Sequence, residues 1–114
     1  MIDIRSKIVE TLSEILPTYY ELYLQSEVEL PCVTYTELSD VAREEGDTLR
    51  YSDHLIQVKL NAKDLTDIVT YTPLIDAALW ELGGKRSSSQ EFTLNANIVK
   101  VITYEFRTLE EETT

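Results

Sequence analysis

A chain of 114 residues has room for one domain with one core. At 43% hydrophobic residues, with three glycines and three prolines, it has the composition of a globular protein and not of a disordered one. Ten lysines and arginines against 21 aspartates and glutamates leave a formal charge of −11, which opposes direct binding to DNA phosphates because few counterions could be released. Such a surface favours basic protein neighbours, or simply keeps a small protein in solution.

Cys32 is the single cysteine, which excludes an internal disulfide and leans towards a reducing cytoplasm. The first residues carry Asp3, Arg5 and Lys7, unlike a signal peptide, and no apolar run approaches the roughly 20 residues of a membrane span. A soluble, intracellular protein with no membrane partner is expected.

Residues 2–16 place Ile4, Ile8, Leu12 and Ile15 on one stripe, with Arg5, Lys7, Glu10 and Glu14 turned away, which predicts an amphipathic helix. Pro17 ends it by lacking an N–H and by pushing Leu16 out of the helical region. In residues 18–25, Tyr20, Leu22 and Leu24 alternate with Tyr19, Glu21 and Tyr23, the pattern of a half-buried strand. A second strand is expected over 32–38, opened by Pro31 at a position that needs no ladder donor.

Residues 39–52 have no sustained period and contain Glu44-Glu45-Gly46-Asp47, so a long connection is expected there. If the strands on either side pair antiparallel, this segment becomes a projecting arm that presents Arg43, Glu44, Glu45, Asp47 and Arg50 to water or to a partner.

The period then changes at one clear boundary. Ile56, Val58, Leu60 and Ala62 alternate with polar residues, whereas Leu65, Ile68, Thr72, Ile75, Leu79 and Leu82 recur three or four apart. This predicts a strand over 53–62 feeding a helix, with Asp64 as N-cap and Gly83-Gly84 as the stop. Pro73 removes a donor in that helix, so a kink or a restart is expected. Lys85, Arg86 and the serines 87–89 suggest a mobile turn, 91–94 a short strand and 95–97 a tight connection. The closing strand, 98–108, sets Ile98, Ile102, Tyr104 and Phe106 on one face and Val99 and Val101 on the other.

The expected fold class is α+β: a mainly antiparallel sheet of four to five strands with two helices on one face. Residues 1–108 make the domain, and 109–114 an acidic flexible tail.

Chemical motifs are scarce. His54 is the only histidine, with no cysteine or carboxylate beside it at a metal-ligand spacing, and reads as a surface or strand-end residue. Cys32 reads as a small buried hydrophobe, and Asp64 with Asp67 as compensation for a helix N-terminus. No phosphate loop, nucleophile elbow or zinc-protease motif occurs, so no catalytic, cofactor-binding or metal-binding residue is assigned and an enzyme is not expected. The aromatic residues, Trp80 above all, could instead anchor a contact with another subunit.

The order of elements and several local motifs resemble the tail-completion, or tail-terminator, proteins of long-tailed bacteriophages. The likeness rests on the first helix, LPCVTY at 30–35, the loop that follows, HLIQVKLNAKDLTDIVTYTPLIDAALWELGG at 54–84, and VITYEFR at 101–107. It implies a structural virion protein, also met in prophages. The subunit would form a hexameric ring, cap the finished tail tube and meet the head-side connector proteins, assembling in the host cytoplasm. DNA would pass through without specific binding, and a negative lumen would help by repelling it over short distances. A head-closure or other connector subunit is the alternative. An acidic inhibitor mimicking DNA would need carboxylates in phosphate-like rows, and here they are scattered.

Overall fold

The computed structural model describes residues 4–21, 29–45, 49–94 and 96–109. Seven elements follow one another: α1 (Ile4–Ser13), β1 (Thr18–Tyr20), β2 (Cys32–Glu45), β3 (Leu49–Ala62), α2 (Leu65–Glu81), β4 (Lys85–Leu94) and β5 (Asn97–Leu109). The strands form one sheet in the order β1-β2-β3-β5-β4; β1 runs parallel to β2, and every other pair is antiparallel. This is the expected α+β class.

Both helices lie on one face because β2, β3 and β5 turn their apolar alternates that way. Val33 of β2, Ile56, Val58, Leu60 and Ala62 of β3, and Ile102, Tyr104 and Phe106 of β5 meet Ile4, Ile8 and Leu12 of α1 and Ile68, Ile75 and Leu79 of α2. Complete burial of such aliphatic side chains contributes about 1.5–3 kcal/mol each.

Local backbone chemistry sets the ends of α2. Asp64 is extended and its carboxylate accepts from the Asp67 N–H at 3.1 Å. At the other end Gly83 takes φ +93°, its N–H donates to the Trp80 carbonyl, and the Gly84 N–H donates back to the Leu79 carbonyl, both at 2.9 Å. That pair of bonds is the Schellman arrangement, and a side chain at Gly83 would be strained.

Five expectations need correction. Residues 39–45 and 49–52 are not a loop: β2 continues to Glu45 and β3 begins at Leu49, and the two pair as far as Glu45 opposite Leu49. This ribbon shows no alternation because Leu38 to Glu44 are exposed on both faces, so neither face selects for apolar side chains. The arm therefore exists as paired strands. Lys85 to Ser89 likewise belong to β4, an exposed edge strand of serines and charges held by its ladder to β5 and not by burial.

Pro73 neither breaks nor restarts α2, which runs unbroken from Leu65 to Glu81. It sits on the exposed side, where water can reach the Val69 carbonyl that loses its donor. β1, finally, ends at Tyr20; the rest of the strand expected over 18–25, from Leu22 on, lies outside the described residues. At the other terminus β5 runs through Leu109, one residue into the expected tail, and 110–114 also lie outside.

Candidate functional site

The second face of the sheet carries no helix among the described residues, and its polar and apolar alternates line an open depression of about 370 Å³. Val41 and Arg43 of β2, Asp53 and Leu55 of β3, and Glu105 and Arg107 of β5 contribute to it. Its centre is Asp53. Arg43 Nε donates to Asp53 Oδ2 at 2.7 Å and Arg107 Nε to Oδ1 at 2.9 Å, so one carboxylate on the middle strand ties down both neighbours. The Arg107 guanidinium also lies 4.1 Å above the Tyr51 ring, and Tyr51 is buried beneath it. Arg107's hydrogen bond, reinforced by Arg43, holds the Asp53 carboxyl below the usual carboxylate range.

A second surface lies on α2. The helix is apolar on both sides: Ile68, Ile75 and Leu79 enter the core, while Leu65, Val69, Pro73, Ala77 and Trp80 form a stripe facing outward. Val69 is 65% exposed and Trp80 68%, which decides that Trp80 is no core residue. At 1.5 Å per residue the stripe is about 22 Å long, a contiguous apolar strip of the kind that marks interaction surfaces. Further apolar exposure occurs on the sheet, at Phe92 and Leu94 of β4.

Of the residues singled out from sequence, Arg43, Glu44 and Arg50 share the ribbon. Arg43 binds Asp53, and Arg50 Nε lies 3.4 Å from Glu44 Oε1 in an exposed pair. Glu45 is the last residue of β2, and Asp47 lies outside the described residues. Trp80 stands apart from them on α2. Cys32 is fully buried, and burial pushes its thiol up against a weaker opposing hydrogen bond with Asn61.

His54 is neither at the surface nor at a strand end. It sits within β3 on the helix-bearing face, its side chain 12% exposed, with Nδ1 2.8 Å from Glu37 Oε2 and Nε2 3.0 Å from Thr108 Oγ1. Reading along the chain missed Asp53 and Arg107, because Arg107 lies 54 residues from its partner. The outward stripe of α2 was open to view as apolar residues outside the core period.

No protein-family model matches the chain, and no match was found among curated proteins.

Proposed function

We propose that the protein is a tail-terminator subunit of a long-tailed bacteriophage, assembling into a hexameric ring that caps the tail tube and meets the head-side connector proteins. One observation carries the reading beyond the sequence resemblance. The main helix has a second apolar face that none of the described residues covers, which costs solubility and is expected of a chain whose partner is another copy of itself. A ring needs heterologous contacts, one patch against a different patch of the next subunit. The α2 stripe and the helix-free sheet face are two such patches on opposite sides of the molecule. The carboxylates speak against a mimic of DNA: Asp53 is held by Arg43 and Arg107, Glu21 by Lys59, and Asp76 by Tyr104 and Arg86.

Free subunits of this kind can be monomeric before assembly, so the test is made with the tail-tube protein of the same virion. Sedimentation of the mixture should show a ring on the tube end. Val69→Asp should abolish it while leaving the circular dichroism unchanged, and deletion of 44–47 should weaken it more than it weakens folding. Binding to portal-side proteins with none to the tube would make the chain a head-closure subunit. Binding to neither would remove the virion reading.

A further inference from the structure

β2 and β3 fall out of simple register at one point. Glu37 is opposite Ile56, but Ser39 is opposite Leu55 and Asp40 is opposite His54, so Leu38 is an extra residue in β2. Without that bulge Ser39 would face His54 and Asp40 would turn to the other side of the sheet. With it, Glu37 and Asp40 both reach the imidazole on the helix-bearing face. Glu37 Oε2 is 2.8 Å and Asp40 Oδ1 3.7 Å from His54 Nδ1, and one ligand atom from each residue lies within 4.8 Å of the others.

We propose that Glu37, Asp40 and His54 form a binding site for a divalent first-row transition ion of the zinc class. Ligand bonds of 2.0–2.2 Å in a tetrahedral shell separate the ligand atoms by roughly 3.3 Å. The present spacing therefore closes on an ion by small side-chain rotations. Thr108 on β5 supplies the outer support: when its hydroxyl accepts from the Nε2–H, the Nδ1 lone pair points at two carboxylates. In that tautomer a cation placed between them makes the arrangement favourable, whereas without one the proton moves to Nδ1 and donates to Glu37. The donor set selects the ion class, since one imidazole with two carboxylates suits zinc or manganese, whereas calcium and magnesium take oxygen shells.

Access and order are also divided suitably. Glu37 and His54 are mostly covered, with 18% and 12% of their side chains exposed, and Asp40 at 53% leaves the fourth position open to water or to a partner's side chain. The ion binds β2 to β3 where the ribbon leaves the helix-covered body, with β5 behind it. It would stiffen the root of the arm. This inference does not depend on the virion reading.

The test is titration of the tag-free chain with zinc chloride in excess magnesium, followed by calorimetry and by the imidazole ¹⁵N signals. His54 is the only histidine, so those signals need no assignment. Expected are one ion per chain, a shift of the Nδ1 resonance, loss of that binding in His54→Ala and Asp40→Asn, and weakening of about 10–100-fold in Thr108→Val. Zinc bound with an unmoved His54 resonance, or with the same affinity in Asp40→Asn, would overturn the assignment. The spectrum of the unaltered chain decides the matter even if a variant fails to fold.

Discussion

Tyr104 on β5 donates its phenolic O–H to Asp76 Oδ1 on α2 at 3.0 Å, a bond that crosses from sheet to helix beside the core. Burial first, then the neighbouring carboxylate, push the phenol well above the ordinary tyrosine range. A folded value above the unfolded one means that the proton stabilises the fold. That contribution is complete below the unfolded value of about 10 and is lost as pH rises through the higher folded one. Tyr104→Phe should cost about 1 kcal/mol near neutrality. The deficit should shrink, then reverse, between about pH 8 and about pH 11, because only the unaltered chain gains a charge on unfolding. Urea titrations at the two pH values check this, and a constant difference would contradict it.

Gly84 should tolerate no side chain. A Cβ there would stand 2.6 Å from Phe106 Cζ and 2.9 Å from the Leu79 carbonyl oxygen, and neither can give way easily: the ring is 2% exposed, and the oxygen is backbone. Gly84→Ala is expected to cost about 1–3 kcal/mol by overpacking. At Gly83 the space is open and only the positive φ resists, so Gly83→Ala should cost about 1 kcal/mol. Denaturant unfolding of Gly84→Ala alone and with Phe106→Leu should reveal coupling, since the smaller side chain relieves the clash. Purely additive costs would place the strain elsewhere.

These residues also show what sequence makes visible. Asp64 and Gly83 could be read because a cap or a left-handed turn is decided by the residue itself and its neighbours within four positions. The core faces of β3 and β5 could be read because burial imposes a period of two. Leu38 to Glu44 could not, since pairing alone makes them a strand and neither exposed face constrains them. Sites built across strands were hidden for a related reason. Asp53 meets Arg107 through the β3–β5 ladder, and it meets Arg43, as His54 meets Asp40, through a β2–β3 register that one extra residue at Leu38 resets.

Pro73 offers a test of how much a helix interior can accommodate. Its missing donor leaves the Val69 carbonyl unpaired within the helix, and a proline in a regular interior is worse than alanine by about 3 kcal/mol. Two effects reduce this: water reaches the exposed side of α2, and proline narrows the unfolded ensemble by about 0.4–1 kcal/mol. Pro73→Ala should therefore stabilise the domain by about 1 kcal/mol, seen as a higher urea midpoint at unchanged slope. A lower midpoint would mean that the ring makes packing contacts alanine cannot replace.

Cys32 reports on opening of the sheet at the β1–β2 edge. Its side chain has no exposure, and burial raises the thiol above its ordinary range, so both access and thiolate fraction are suppressed in the folded state. An aromatic disulfide reagent should leave the native chain almost unlabelled for as long as it stays folded. Labelling should then accelerate with urea along the same slope as global unfolding, because Cys32 is paired with Asn61 in the ladder between β2 and the central strand β3. Rapid labelling in water, independent of urea, would show that this corner opens by itself and that the first strands of the sheet are not part of the cooperative unit.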